Sequence, residues 1–176
     1  MNYLVTGGAG FIGSALVNKL ISNKSSVTVI DNLSTGYLSN ISKQATFIEG
    51  DVSDELIFHS LKNQEFDAIL HLAGQSSGEI SFDDPVYDLN CNVTSTLRLL
   101  NYAVRTSCKR FVYASSMSVY GEKPNQEKFS EQDIVSPKSI YAVGKFASEN
   151  YMKIYHQQYG INFTALRYFN VYGPGQ

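Results

Sequence analysis

The sequence lacks the features that would place it in several large protein classes. It has two cysteines in 176 residues, and neither Cys91 nor Cys108 has a CxxC partner or companion thiols. That excludes a disulfide framework and a zinc site, and leaves two free buried thiols as the expectation. An excess of charge of one sign is also missing: 14 Lys and Arg oppose 16 Asp and Glu, for a formal net charge of -2. Such a balance offers no field to attract nucleic acid or an anionic membrane. No apolar run reaches the roughly 18 residues of a membrane span. The opening MNYLVTGG has no basic segment followed by an apolar one, which argues against a secretory leader. A cytoplasmic protein with no nucleic-acid or membrane partner and no metal is therefore expected. With 43% hydrophobic and 17% charged residues, the chain reads as one globular domain large enough to bury a core.

What is present is an alternation. Apolar or β-branched runs at residues 3–6, 27–31, 45–50, 68–74, 110–116 and 162–168 read as strands buried on both faces, the mark of parallel sheets. Helical periodicity fills residues 11–23, 54–63, 89–107 and 137–160. Strand and helix in turn predict an α/β fold, a doubly wound parallel sheet with right-handed crossovers. The polar, turn-rich stretch 121–137 is a loop long enough to be functional.

The first chemical signal is GGAGFIGS, which places Gly7, Gly10 and Gly13 between the first strand and the first helix. In that context Gly7 permits a sharp turn, Gly10 a close approach to a pyrophosphate, and Gly13 tight packing of the helix. Amides at the helix N-terminus face the phosphates. Phe11 and Ile12 lie between the last two glycines. Asp31 ends the second strand, where a carboxylate accepts hydrogen bonds from adenosine ribose and disfavours a 2′-phosphate, so NAD is expected over NADP. Asp31 also opens the turn DNLSTG, whose Asn32 adjoins the same position. The ends of the third and fourth strands supply Asp51, Val52, Leu72, Ala73 and Gly74, and ligands of open α/β sheets lie at those ends.

The second signal is SIYAVGK. Tyr141 and Lys145 stand four residues apart and so share a helix face. The fifth strand runs into ASSMSVYG and is expected to leave Ser115, Ser116 and Ser118 at the same crevice. A nearby lysine cation and the positive nicotinamide ring both favour phenolate over phenol, giving a base that works near neutral pH. Tyr151 and Tyr155, on the same helix, have no such partner and read as packing or surface residues.

TGGAGFIGS, DNLSTG, GDV at 50–52, HLAG, SSMSVYG, YAVGK and RYFNVYGP follow one another across nearly the whole chain. In this the sequence resembles the extended short-chain dehydrogenases/reductases, specifically the NAD-dependent nucleotide-sugar epimerase/dehydratase group and its UDP-glucose and UDP-N-acetylglucosamine 4-epimerases. The resemblance implies a Rossmann-type fold and a catalytic trio of Ser116, Tyr141 and Lys145, with Lys145 also on the nicotinamide ribose. It puts Tyr168 near the nicotinamide, Asn92 along the NAD site, and Ser116 and Asn170 against a UDP-linked sugar. It also implies a homodimer through the helices of Asn92 and Tyr141.

Dehydratases of the group carry an Asp-Glu pair where this chain has Met117 and Ser118, and decarboxylases carry a glutamate in place of Ser118. Epimerisation at C4 through a 4-keto sugar is thus the expected reaction. A reductase or decarboxylase of the group, or a non-catalytic NAD-binding module, is the alternative. Two departures stand out: Ser95 replaces a common glycine and is expected to crowd a helix contact, and Ser76 stands where some epimerases have a lysine. The group's smaller C-terminal substrate domain is expected to be missing after Gln176. The 176 residues are accordingly expected to be an NAD-binding domain with little turnover of their own.

Overall fold

The computed structural model describes residues 1–62, 64–123 and 128–176. Asn63, the last residue of the expected helix 54–63, and positions 124–127 of the expected loop lie outside the described residues. Six strands form one sheet: β1 (Asn2–Thr6), β2 (Ser26–Asp31), β3 (Thr46–Glu49), β4 (Ala68–His71), β5 (Arg110–Ser116) and β6 (Asn162–Tyr168). Their order is β3-β2-β1-β4-β5-β6 and every pairing is parallel. This is the expected doubly wound, Rossmann-type sheet, which reverses its winding between β1 and β4. The fourth strand stops at His71, short of the expected Gly74. Leu72 N makes a last bond to the Thr6 carbonyl, and Ala73 N then turns to the Thr6 hydroxyl instead of a strand partner.

The pleat sorts the side chains of each strand into two cores. Val5, Val27, Val29 and Leu70 pack against Val17 on one face, which α1 (Phe11–Ser22) covers. Leu4, Ile30, Ile69, Phe111 and Tyr113 point the other way. There they meet Phe58 of α2 (Ile57–Ser60), Leu99 and Leu100 of α5 (Ser95–Arg105), and Met152 of α6 (Ile140–Tyr159). Such alternation on buried strands makes register strict, because a slip of one residue would exchange the two cores. Cys108 is buried as expected; Cys91 is only half-buried.

Two features depart from the sequence expectation. The segment before Leu89 contains α3 (Ile80–Asp83) and α4 (Pro85–Leu89), the latter opened by the Asp84 carboxylate accepting from Tyr87 N at 2.9 Å, with Pro85 at the first position. The expected helix 89–107 is interrupted by a π turn at Asn90–Thr94. Hydroxyls enter the hydrogen-bond ladder there: Ser95 donates to the Cys91 carbonyl, while Thr96 and Ser148 donate to the Asn92 carbonyl at 2.8 and 2.7 Å. Ser95 therefore does not crowd a contact; its fully buried hydroxyl makes one. Among the described residues no helix is long and apolar enough to cross a membrane.

His71 closes β4 inside the core. Its Nδ1 lies 2.7 Å from Thr6 Oγ1, and its Nε2 lies 3.1 Å from Thr96 Oγ1 and 3.3 Å from Ser95 Oγ. Burial, aided by the positive charge of Lys145, pulls its pKa down to about 3. Between that value and the ordinary histidine value of about 6.5, the unfolded chain binds the proton and the folded one does not. Stability contributed by neutral His71 is therefore lost as pH falls through this window. Thermal melts from pH 7 to pH 4 are expected to show a falling midpoint, with His71→Gln having a flatter acid limb. Parallel limbs would contradict this account.

Candidate active site

The carboxyl ends of all six strands and the N-terminus of α1 lie along one edge of the sheet. Gly7 adopts φ +73°, and a Cβ there would stand 2.5 Å from Ala73 N, so the loops leaving β1 and β4 touch through backbone alone. A Cβ on Gly13 would collide with the Gly7 carbonyl, which locks the first turn of α1 onto the same loop. Gly10 caps α1 without a side-chain bond, and no acidic residue occupies the first turn. The amides of that turn are thus left to an anionic ligand.

A crevice runs from this loop along the strand ends. It is walled by Gly7, Gly10, Asp31, Asn32, Asp51, Val52, Leu72, Ala73 and Gly74 of the expected set, with Ser76 exposed on its rim. Residues not foreseen also line it: Ser34, Thr35 and Gly36 from the turn after β2, Gln75, Tyr87 and Cys91. Asp31 is buried, with one carboxylate oxygen accepting from Ala9 N at 2.9 Å and the other from Leu33 N at 2.8 Å. It therefore ties the glycine loop to the turn after β2, and each oxygen keeps a second lone pair for a ligand. Asp51 is bridged by Asn32 Nδ2 at 3.0 Å. Backbone amides at one end, carboxylates near the other and glycine walls between them are a donor set that fits a dinucleotide.

Ser116, Tyr141 and Lys145 lie beyond the Gly74 end. Tyr141 and Lys145 are buried on one face of α6, which starts with the Ser139 hydroxyl accepting from Ala142 N at 3.1 Å. Lys145 Nζ donates to the Ala114 carbonyl at 3.0 Å and sits 4.9 Å from the Tyr113 ring centroid and 5.6 Å from that of Tyr141. Ser116 Oγ accepts from Ser118 N at 3.2 Å and from Ser118 Oγ at 2.9 Å.

The electrostatics correct one expectation. Burial raises the Tyr141 pKa above its ordinary value, the Ser116 hydroxyl opposes that rise, and the negative charge of Asp88 adds to it. Burial also lowers Lys145, to about 8. Desolvation penalises the charged form of both members, so the lysine at this distance does not by itself bring the phenol down.

Other expected residues do not line this crevice. Phe11 and Ile12 are half-buried on the first turn of α1, and Asn92 is fully buried in the π turn. Tyr168 lines a second cavity with Tyr120, Phe129 and Phe169, and Asn170 is exposed after β6. Tyr155 packs on the core and donates to Asn101 Oδ1 at 2.6 Å, whereas Tyr151 is exposed.

Sequence reading passed over a clamp beneath the trio. Glu149, one turn beyond Lys145, accepts from Arg167 Nε at 2.9 Å, Arg167 Nη2 at 2.7 Å and Ser115 Oγ at 2.6 Å. It joins α6, β5 and β6 one residue away from Ser116 and from Tyr168. Its signal was the continuation of the i, i+4 series from Tyr141 through Lys145 to Glu149. Glu149 is 3% exposed, so removing its charge strands the guanidinium. Glu149→Gln is expected to cost about 3 kcal/mol in urea denaturation, whereas Glu131→Gln, at an exposed position, should change stability little. Equal costs would contradict the clamp.

Comparison with known proteins agrees with this geometry. The solved structure of Thermus thermophilus UDP-glucose 4-epimerase in complex with NAD superposes with a TM-score of 0.96 at 39% identity, covering 100% of this chain and 57% of that one. UDP-glucose 4-epimerase of Mycolicibacterium smegmatis is 38% identical over 182 residues, 100% of this chain and 58% of the relative. UDP-glucuronic acid decarboxylase 6 of Arabidopsis thaliana is 39% identical over 182 residues, 99% of this chain and 52% of the relative. The chain thus spans little more than half the length of the relatives it matches. Residues 3–176 match the model of one family, and with the glycine loop, the parallel sheet and the Ser-Tyr-Lys group in place, the chain belongs to the NAD dependent epimerase/dehydratase family.

Proposed function

We propose that residues 1–176 form the NAD-binding and proton-transferring part of a UDP-sugar 4-epimerase. The observation that carries this reading is the juxtaposition of the glycine-walled crevice with Ser116, Tyr141 and Lys145 at its Gly74 end. NAD would lie with its pyrophosphate at the first turn of α1, its adenosine ribose toward Asp31, and its nicotinamide end toward Tyr141 and Lys145. When bound, it supplies a reversible acceptor for hydride.

The chain's own residues handle the proton. Tyr141, as phenolate, takes the proton of the sugar C4 hydroxyl, and Ser116 donates a hydrogen bond to the same oxygen as it becomes a carbonyl. Two donors from Ser118 already occupy lone pairs of Ser116 Oγ, which leaves its one proton to be donated, to Tyr141 in this structure and to the reacting oxygen once substrate is in place. Because Tyr141 is buried and raised, its ionisation draws on the positive charge of Lys145 and of the oxidised cofactor. With the 4-keto sugar turned over and hydride restored to the other face of C4, Tyr141 would return its proton to the C4 oxygen, which would complete the inversion. Asn170 would meet the sugar nucleotide, and Tyr168 and Asn92 would border the nicotinamide half.

Epimerisation is preferred over decarboxylation because position 118 holds a hydroxyl engaged with Ser116 and not the carboxylate that decarboxylases of the group carry. A second copy of the chain is the proposed partner. Val86 and Leu89 on α4, which runs into the Asn92 turn, and Val143 and Ile154 on α6 leave apolar side chains exposed on the helices through which a homodimer would form.

The chain is expected to bind NAD in calorimetry more tightly than NADP, with Asp31→Ala reducing that preference. In protein carrying these residues together with the remaining length of its relatives, Tyr141→Phe should keep NAD binding while interconversion of UDP-glucose and UDP-galactose drops at least about 100-fold. Unchanged interconversion would remove Tyr141 from the chemistry. Sedimentation should report a dimer that Val86→Glu weakens, and a wild-type monomer would rule that partner out.

A further inference from the structure

Asp88 has no part in the chemistry described so far, yet it is a carboxylate only 1% exposed, on α4 against the π turn and α6. Its Oδ1 accepts from Asn92 Nδ2 at 3.0 Å and from Gln75 Nε2 at 3.1 Å. Its Oδ2 is buried without a hydrogen-bond partner among the described residues, as is Asn92 Oδ1. Each unpartnered oxygen faces the surroundings of one residue. Asp88 Oδ2 lies 3.4 Å from where a Cβ would stand on Gly144, the residue before Lys145 on α6. Asn92 Oδ1 and Lys145 Nζ lie 2.6 and 3.2 Å from a single point, the Cβ position of Gly74. The Asn92 amide therefore has its donor end on the Asp88 carboxylate and its acceptor end on the side of the ammonium. Lys145 spends one N–H on the Ala114 carbonyl and has two more.

If Asp88 served only to hold Gln75 and Asn92, an amide side chain would suffice. A buried carboxylate costs far more to desolvate than an amide, and a nearby cation is what offsets that cost. Among the described residues, the titratable groups facing Lys145 are Tyr141 on its own helix, Asp88 on α4, Cys91 in the π turn, Tyr113 on β5 and His71 on β4. Asp88 is the one carboxylate in that set, since Glu149 on the next turn is taken by Arg167.

We propose that Asp88 is a positioning residue that acts through Lys145: its buried carboxylate, packed beside the Asn92 amide against the lysine helix, holds the Lys145 ammonium in its charged form inside the site by through-space attraction. The direction of the charge effects agrees, since burial lowers Lys145 while Asp88 opposes it, and Lys145 in turn opposes the burial-driven rise of Asp88. The proposal rests on reading Lys145 as the cation of the site, but its test involves neither turnover nor cofactor. A failed epimerase assay and a failed titration are therefore separate results.

The experiment is an NMR titration of the chain with lysine labelled at the ε carbon, with the Lys145 signal assigned by its loss in Lys145→Arg. The wild-type midpoint is expected near 8, and Asp88→Asn, which keeps the size and hydrogen-bonding reach of the side chain, should lower it by about one pH unit or more. An unmoved midpoint overturns the proposal. If Asp88→Asn does not fold, the reciprocal measurement decides, because coupling between two sites is mutual. With aspartate labelled at the carboxyl carbon, Lys145→Met must raise the Asp88 midpoint, and an Asp88 signal indifferent to that change overturns the proposal equally.

Discussion

With six parallel strands in one sheet, every strand delivers its carboxyl end to the same edge, and the winding reverses only between β1 and β4. At that gap two loops leave in opposite directions, and no crossover lies over it. What keeps the gap usable is the contact of Gly7 with the backbone of Ala73, which admits no side chain. The rest follows from this contact. The first turn of α1 is seated by it, Asp31 ties the glycine loop to the turn after β2, and the Thr6 hydroxyl catches Ala73 N as β4 gives way to its loop. A crevice open at the switch point is thus the consequence of two loops that meet main chain to main chain.

Around that gap the protein buries polar groups instead of excluding them. His71, Asn92, Lys145, Glu149 and Asp88 are all below 5% exposed. Each costs desolvation, and three are answered by specific neighbours: threonine hydroxyls for His71, Arg167 and Ser115 for Glu149, carbonyl and aromatic faces for Lys145. Asn92 and Asp88 bond each other and leave one oxygen apiece without a partner among the described residues. Low dielectric strengthens every charge effect that remains, for good and ill. Tyr141 is a poor base and Lys145 a weakened cation until something charged joins them. Such a site stores stability cost in order to respond strongly to a ligand's charge.

The sheet was legible because strands buried on both faces leave continuous apolar runs, and the glycine loop because its context is local. The SIYAVGK helix and the serines of β5 were legible for the same reason. Less visible were the elements that depend on partners far away in sequence. The π turn shows as ordinary helical periodicity, and what widens it is hydroxyls at Ser95, Thr96 and Ser148, the last 56 residues from the Asn92 carbonyl it bonds. Asp88 stands outside every motif and just before the expected helix 89–107. Only the packing of α4 on α6 buries it, although its place four residues before Asn92 was there to be read. Lys145 was rightly placed beside Tyr141, but the sign of the net effect on the phenol turned on how deeply both are buried, which spacing does not reveal.

The π turn at Asn90–Thr94 also bears on how such a chain tolerates change. A π turn is an α-helix carrying one surplus residue. Deleting one residue there would restore an unbroken helix while swinging everything before it by about 100° around the axis. Tyr87 would rotate off the crevice wall, and Asp88 would leave both Asn92 and the lysine helix. The irregularity is in that sense a register peg. It lets one helix present a hydrophobic face to the sheet along α5 and a polar face to the site along α4, two orientations that a regular helix of this length would not reconcile.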